Sequence, residues 1–299
     1  MKKEKVSVII NCLNGSKFLN TCLKSVLKQT YKNLEIIFWD NNSIDQSLNL
    51  IKKIKDKRIK IFRSSKTLKL YDARNHAIKK STGKFLAFID IDDTWSKLKV
   101  EKQLKKIKKE NSDIIYNNHW IVKNHSNHWL DRSGKTLYSK NKLPFLNMSY
   151  EILNNYPITI STVMVKRKVF FELGGFNKTF EIIGDFDLFF KISTRYKFSV
   201  IQEPLATYLS HPENTSKTKF KLRIIEMYKW LKINKKKHKF KDYHHLFNKI
   251  YINNKYLELS YYIINKNYKL FFKNLNDLKN ATLYFKLIFK LFYYIIFIK

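Results

Sequence analysis

The chain has 299 residues, 44% of them hydrophobic, with only 6 Gly and 4 Pro. That is apolar material for a large core, and it excludes a disordered, collagen-like or loop-dominated protein. The net charge of +35, from 59 Lys+Arg against 24 Asp+Glu, points to a polyanionic partner: nucleic acid, an anionic membrane surface or a phosphorylated substrate. Part of that excess is a composition bias, because Lys, Ile and Asn are used heavily throughout. Cys12 and Cys22 are the only cysteines. Their spacing suits neither a zinc site nor a redox pair, which suggests a reducing compartment. The basic start at residues 1–5 resembles a signal n-region, but the apolar run behind it stops at Asn11 and is too short for an h-region. No stretch reaches the length of an uninterrupted membrane span. These features together predict a cytoplasmic chain.

In chain order, residues 6–10 are β-branched and apolar and read as a buried strand, followed by a polar turn over 11–15. Residues 18–29 read as a helix, with Phe18, Leu19, Cys22, Leu23, Val26 and Leu27 at helical spacing. A second strand over 34–39 ends in Asp40-Asn41-Asn42-Ser43-Ile44-Asp45, and a helix over 48–54 follows. A strand at 59–62, a helix at 72–80 and a strand at 85–89 complete an alternation that spells a parallel α/β sheet. Ligands bind such sheets at the carboxyl ends of the strands. Asp40 and Asp90 both stand at such ends. Helix capping falls more naturally to Ser43 or Asp45, which leaves Asp40 free to accept hydrogen bonds from a ligand.

The fourth strand runs straight into Asp90-Ile91-Asp92-Asp93. Like charges crowded at one strand tip persist at low cost only with a cation among them. Hard oxygen ligands suit Mg²⁺ or Mn²⁺, which would in turn hold a diphosphate. Taken alone, the same string is equally an acidic, solvated turn.

The ordered set of motifs is more specific. Val6-Ser7-Val8-Ile9-Ile10-x-x-x-Asn14, Ser25-Val26-Leu27-x-Gln29-Thr30-Tyr31 and Glu35-Ile36-Ile37-x-x-Asp40-Asn41-x-Ser43-x-Asp45 come first. Ala73-Arg74-Asn75, Gly83 and Phe88-Ile89-Asp90-x-Asp92-Asp93-x-Trp95 follow. Together they resemble the family 2 glycosyltransferases over residues 6–95. The resemblance implies an α/β GT-A fold, a Rossmann-like sheet with helices on both faces, that binds a nucleotide-sugar and a divalent metal, Mn²⁺ or Mg²⁺. It implies that Asn14 and Asp40 hold the nucleoside, usually a uridine, and that Arg74 lies near the diphosphate. Asp90 would reach the ribose or metal, Asp92 would ligate the metal, and Asp93 would lie near the donor sugar.

Residues 98–108 read as a Lys-rich amphipathic helix and 113–116 as a strand. Residues 117–142 are polar and carry His119, His125 and His128, whose spacing matches no recognised metal site and predicts neutral surface histidines. The resemblance places an acceptor-side loop there, with Trp120 or Trp129 near the acceptor. A strand is expected over 158–165, a helix over 168–173 and a turn at Gly174-Gly175-Phe176. Asp185 and Asp187 open the next apolar helix, where capping and the helix dipole explain acids without any chemistry. The resemblance instead implies the second acidic motif, usually Glu-Asp, in which the aspartate deprotonates the acceptor. Gly184 stands where the glutamate is usual; Asp185 keeps the base, and Asp187 is held in reserve. A Tyr-x-x-His-x-x-x-x-Ser pattern is similar to the family's at Tyr208 and His211, and implies that His211 completes the metal shell.

The motifs put a catalytic domain at 1–218 and a basic helical region at 219–299. From Lys219 onward nineteen Lys+Arg stand against four acids. Residues 283–299 would span roughly 25 Å as a helix at about 1.5 Å per residue, short of the roughly 30 Å hydrocarbon core. With Lys286 and Lys290 inside it, the segment predicts a helix lying in an anionic membrane interface, against the alternative of packing on protein. The reading is an inverting, metal-dependent hexosyltransferase that uses a nucleotide-sugar donor, UDP-linked, and a surface-glycan or lipid-linked acceptor. Two rivals accompany it. A non-catalytic sugar-nucleotide binder is motivated by Gly184. A basic nucleic-acid-binding protein is motivated by the charge, but its lysines are scattered and no nucleic-acid motif is present. A processive synthase is disfavoured by the lack of a Gln-x-x-Arg-Trp string.

Overall fold

The computed structural model describes residues 4–123, 135–136, 142–278 and 281–297. Contacts divide the chain into two units. The first runs to Ile152 and resumes from Tyr156 to Asn214; the second comprises Leu153–Asn155 and the chain from Thr215 on.

The first unit opens with β1 (Val6–Cys12), α1 (Ser16–Leu27), β2 (Leu34–Asp40), α2 (Ser47–Lys53), β3 (Ile59–Arg63), α3 (Leu70–Lys79) and β4 (Phe85–Asp90). β1 lies between β2 and β4, β3 lies outside β2, and all four run parallel. β1, β2 and β4 are buried on both faces, which is why they read as continuous apolar runs rather than alternations, while β3, at the sheet edge, is only partly buried. Phe18, Leu19, Cys22, Leu23 and Val26 form the buried stripe of α1. Leu19, Cys22, Leu23 and Val26 share one apolar cluster with the Val8, Ile10, Ile36 and Phe38 side of the sheet.

β5 (Thr94–Trp95), α4 (Lys99–Lys109), β6 (Ile114–Lys123), β7 (Lys135–Thr136), α5 (Met148–Asn155), β8 (Met164–Lys166), α6 (Arg167–Glu172), α7 (Gly184–Ser193) and β9 (Phe198–Ser210) follow. The sheet order is β3-β2-β1-β4-β8-β6-β9-β5, with β7 paired to β6. β8 runs antiparallel to both β4 and β6. The result is a mixed α/β sheet of the expected class.

Two elements differ from the sequence expectation. The strand expected to end at residue 116 continues to Lys123, because β9 pairs with it along its whole length across register shifts at Asn117, Asn118 and His119. Backbone pairing there overrides polar side chains. The run expected as one strand over 158–165 instead forms a tight turn at Ile160–Thr162 before β8. Thr162 drives that turn: its N–H and its hydroxyl both donate to the Thr159 carbonyl, at 2.9 and 2.6 Å.

The second unit is helical: α8 (Thr215–Thr218), α9 (Phe220–Lys235), a short 3₁₀ stretch at His238–Tyr243, α10 (His244–Ile264), α11 (Tyr268–Leu275) and α12 (Ala281–Phe297). Leu259 and Ile263 of α10, Phe271 and Leu275 of α11, and Leu287 and Leu291 of α12 form its core. No helix among the described residues is long and apolar enough to cross a membrane.

A single carboxylate clamps the amino ends of the central strands. Glu35 on β2 accepts from the Ser7 hydroxyl at 2.6 Å, from the Thr82 and Gly83 N–H groups at 2.5 and 2.9 Å, and from Lys60 Nζ at 2.7 Å. The Gly83 backbone comes so close that a Cβ there would stand 2.5 Å from the Ser7 hydroxyl and 2.7 Å from its N. Burial opposes the charge on Glu35. The Lys60, Ser7 and Thr82 hydrogen bonds outweigh it and hold the carboxyl at about 2 instead of 4.5. A depressed carboxyl adds stability above its unfolded value, and that stability is lost as pH falls toward the folded value. Glu35→Gln should therefore cost about 2–3 kcal/mol at pH 7. Urea unfolding at several pH values should show the gap to wild type closing between about pH 4.5 and pH 2. A gap that stays constant across that range would refute the assignment.

Candidate active site

The parallel register brings three polar positions to one sheet edge. Asn11 lies opposite Asp90, and Cys12 opposite Asp40, at the carboxyl ends of β1, β4 and β2. Asp40 is fully buried. It is not free, as expected from sequence: its Oδ1 accepts from Ser43 N at 3.3 Å, and Arg63 Nε stands 3.2 Å from Oδ2. The buried side-chain oxygen and nitrogen of Asn11 have no hydrogen-bond partner among the described residues, and Asp40 Oδ2 has only the Arg63 ion pair. Unsatisfied polar atoms gathered at strand ends suit a polar ligand. Asn14 adopts a left-handed conformation, φ 53°. It joins the loops after β1 and β2 by accepting from Ile44 N at 2.9 Å and donating its own N–H to Ser43 Oγ at 3.0 Å.

At the tip of β4, ligand atoms of Asp90, Asp92 and Asp93 lie within 4.8 Å of one another. Asp92 sits in a prepared shell, with His211 Nε2 3.0 Å from its Oδ2 and Asn214 Nδ2 donating to the same oxygen at 3.1 Å. Asn214 also accepts from His211 N at 2.6 Å and donates to the Leu209 carbonyl at 3.1 Å, which fixes the loop after β9. Burial and repulsion from Asp90 push the Asp92 carboxyl up; burial and repulsion from Asp92 and Asp90 push Asp93 well up. Crowded oxygen donors whose charged forms disfavour one another, with an imidazole beside them, fit a hard divalent cation.

Asp93 has a different environment from its two neighbours. It is buried, and accepts from the Ser161 hydroxyl at 2.5 Å and from Leu209 N at 3.1 Å. Ser161 is itself pinned: its hydroxyl lies 3.0 Å from Asp90 N, and its carbonyl accepts from Trp95 Nε1 at 2.7 Å. The fully buried Lys99 Nζ stands 4.1 Å from the Trp95 ring centroid and donates to Gln103 at 2.9 Å. The turn that interrupts the expected strand over 158–165 thus delivers Ser161 to the acidic tip.

α3 supplies the next group. Arg74 is buried and bonds Asp90 with its guanidinium. Burial opposes that charge, but Asp90, Tyr71 and Asp185 more than restore it. The same guanidinium stacks 5.1 Å from the Tyr71 ring centroid. The Tyr71 hydroxyl lies 2.8 Å from Asp185 Oδ1, at the start of α7. Asp185 does not cap that helix in the usual way, since its Oδ1 accepts from the adjacent Phe186 N at 2.8 Å and α7 has no side-chain cap. The reserve acid, Asp187, is buried and paired with Lys191 at 2.6 Å. A contact chain therefore runs from the acidic tip to the second acidic motif: Asp90, Arg74, Tyr71, Asp185.

The polar segment after residue 116 differs from expectation in part. His119 is buried on β6 rather than at the surface; burial pushes its imidazole down to about 4, and Thr159 lies 3.3 Å from its Nε2. Trp120 is 44% exposed on the same strand. His125, His128 and Trp129 lie outside the described residues. The sequence reading missed Tyr71, Ser161 and Asn214. Tyr71 had one signal, standing one helical turn before Arg74. Ser161 and Asn214 had none, since each acts only through the tertiary fold.

Comparison with known proteins bears on the family and the fold. The family model described as "Glycosyl transferase family 2" matches residues 7–174. An Escherichia coli protein named UDP-Glc:alpha-D-GlcNAc-diphosphoundecaprenol beta-1,3-glucosyltransferase WfaP is 38% identical over 120 residues, covering 40% of this chain and 48% of that protein. The chain thus spans about half the length of that curated relative. The crystal structure of S. aureus TarS in complex with UDP-GlcNAc superposes with a TM-score of 0.65 at 18% identity, covering 92% of this chain and 80% of that one. The mannosyltransferase PcManGT from Pyrobaculum calidifontis, in complex with GDP-Man and Mn²⁺, superposes with a TM-score of 0.60 at 15% identity, covering 97% and 88%. At these identities the two structures speak for the GT-A fold. The family match covers more than half of the chain, and the protein belongs to glycosyl transferase family 2.

Proposed function

We propose that this chain transfers a hexose from a UDP-linked donor to a hydroxyl of a lipid-linked glycan, with inversion at the sugar carbon. The observation that carries the reading is the contact chain from the acidic tip at Asp90 through Arg74 and Tyr71 to Asp185. It joins a site suited to a diphosphate to a carboxylate suited to act as a base. The donor and acceptor classes are taken from the names of the relatives: UDP-Glc and a GlcNAc-diphosphoundecaprenol for the E. coli protein, UDP-GlcNAc for TarS.

Each residue has a task under this reading. Asn11, Asn14 and Asp40 receive the nucleoside at the ends of β1 and β2, where the unsatisfied polar atoms of Asn11 find partners. Arg74 is held by Asp90 beside the diphosphate and offsets its charge. Asp92 would hold a divalent cation, Mn²⁺ or Mg²⁺, with Asp90 and His211 in support, and the bound cation supplies Lewis-acid neutralisation of the leaving diphosphate. Asp93, with both oxygens engaged by Ser161 and Leu209, keeps the tip of β4 in place beneath the donor sugar. Asp185 takes the proton of the acceptor hydroxyl as that oxygen attacks the sugar carbon. The raised Asp92 and Asp93 carboxyls favour a charge-neutralising ligand over an inert acidic turn.

The second unit adds a membrane-facing surface to this proposal. α12 buries Leu287 and Leu291 in the helical core, while Phe285, Phe289 and Tyr293, at four-residue steps, are 62%, 75% and 56% exposed. An aromatic stripe beside an exposed Lys286, in a region with nineteen Lys+Arg against four acids, fits the interface of an anionic bilayer. Such a contact would keep the chain at the bilayer that carries a lipid-linked acceptor.

Three measurements test these assignments. Asp92→Asn should lose turnover by at least about 100-fold. It should also weaken Mn²⁺ binding in calorimetry with UDP present, and unchanged Mn²⁺ affinity would refute the ligand assignment. Asp185→Asn should lose turnover by about 10²–10⁴-fold while UDP still binds; wild-type turnover would refute the base. Phe285→Glu/Phe289→Glu should abolish flotation with phosphatidylglycerol vesicles, leaving the buried Leu287 and Leu291 untouched. If the variant floats as wild type does, the stripe is not the anchor.

A further inference from the structure

Gly184 occupies the position where the family resemblance leads one to expect a glutamate beside the base. Its backbone needs no glycine: Gly174 and Gly175 have positive φ, and Gly184 does not. The constraint is space. A Cβ on Gly184 would lie 2.4 Å from Tyr71 Cδ2 and 2.5 Å from Tyr71 Cγ, distances that real Cβ atoms do not show. The atoms in the way belong to the root and edge of the ring, not to a flexible side-chain end.

The ring has little room to yield. Tyr71 is 2% exposed. It packs on Phe176 with ring centroids 5.0 Å apart, and the Arg74 guanidinium stands 5.1 Å from its centroid. Its hydroxyl reaches past Gly184 to the next residue, 2.8 Å from Asp185 Oδ1 and 3.2 Å from the Ile182 carbonyl. Phe186 N donates to the same Oδ1 at 2.8 Å. One carboxylate oxygen of Asp185 is thus gripped from α3 and from its own helix. Burial first, and then the negative charge of Asp185, push the Tyr71 hydroxyl well up, so it stays a neutral donor.

We infer that Tyr71 is the positioning residue of Asp185 and that Gly184 is its obligate complement, the phenol filling the volume of the expected acidic side chain and its hydroxyl fixing the carboxylate. The inference rests on the reading of Asp185 as the base. It replaces a charged neighbour with a neutral donor, so that Gly184 marks a different way of holding the base and not the loss of it. It also ties the two substrates together, since Tyr71 and Arg74 sit one turn apart on α3 and touch Asp185 and Asp90 respectively.

The test uses the full chain and five variants: Tyr71→Phe, Tyr71→Ala, Gly184→Ala, Tyr71→Ala/Gly184→Ala and Asp185→Asn. Turnover is measured with UDP-glucose, Mn²⁺ and a synthetic GlcNAc-diphospho-lipid. Thermal unfolding is measured without any substrate. Tyr71→Phe keeps the ring and removes the hydroxyl: kcat should fall by about 10–100-fold, with donor KM within about twofold and Tm within about 2 °C of wild type. Gly184→Ala should lower both Tm and kcat in the wild-type background, and change neither appreciably in the Tyr71→Ala background, where the ring is gone. A Tyr71→Phe enzyme within twofold of wild-type kcat overturns the positioning role. Equal Tm losses for Gly184→Ala in both backgrounds overturn the packing role. If the chain does not use this acceptor, a crystal structure of Tyr71→Phe decides the positioning role: an unmoved Asp185 carboxylate overturns it, a rotated one supports it. Wild-type turnover by Asp185→Asn would instead sink the base assignment, a separate failure.

Discussion

The first unit is arranged around a repulsion. Three carboxylates within four residues meet at the tip of β4, with ligand atoms no more than 4.8 Å apart. Two unit charges about 4 Å apart at an effective dielectric of about 20 repel by about 4 kcal/mol, a large fraction of a domain's stability. The surrounding fold answers each charge separately. Arg74 on α3 faces Asp90; His211 and Asn214, after β9, face Asp92; Ser161 and Leu209 N enclose Asp93. Those partners come from three places far apart in the chain: residue 74, residue 161 and residues 209–214. The topology of the sheet, with β8 inserted next to β4 and β9 running to the same edge, is what lets them converge on one strand end.

A second carboxylate, at the opposite end of the strands, has the reverse character. Glu35 gathers Ser7, Thr82, Gly83 and Lys60, and its charge is stabilised rather than crowded. Both ends of the central strands therefore carry buried acids with opposite shifts. At the amino end the shift is downward and reflects satisfied hydrogen bonds, as in a structural clamp. At the carboxyl end it is upward and reflects burial first, then repulsion between neighbouring carboxylates. The direction of the shift separates the two where burial alone does not.

The order of strands and helices up to residue 95 was legible because β1, β2 and β4 are buried on both faces and are punctuated by polar turns. Legibility failed where side chains and pairing disagree. Asn117, Asn118 and His119 look like loop, yet they are strand residues because β9 supplies a partner. Ile158-Thr159-Ile160-Ser161-Thr162 looks like strand, yet Thr162 bonds back to Thr159 and turns the chain. The same asymmetry holds at the site. Acidic residues announce themselves by type and spacing, so Asp90, Asp92, Asp93 and Asp185 could be picked out. Their neutral partners, Tyr71, Ser161 and Asn214, carry no local signature, since a phenol, a hydroxyl and an amide are common everywhere. At the other end of the chain, helical patterning was legible, but the split of α12 into a buried Leu287–Leu291 face and an exposed aromatic one depends on where α10 and α11 lie.

Gly184 shows how a departure from a family pattern should be weighed. Read in one dimension, a glycine in place of an acid is a deletion, and the natural conclusion is weakened chemistry. In three dimensions the volume is not vacant. The Tyr71 ring fills it so closely that no Cβ fits, and the ring brings a donor to the carboxylate that the missing acid would have neighboured. A glutamate beside Asp185 would add a second negative charge to a site that already holds Asp185 near two buried phenols, Tyr71 and Tyr156, whose hydroxyls burial and Asp185 push up. A neutral hydroxyl holds the carboxylate without that repulsion, and Arg74, stacked on the same ring, keeps a cation within reach of both acids. Loss of a charged residue thus becomes a question about which atoms occupy its space, and here they are atoms that can do part of its work.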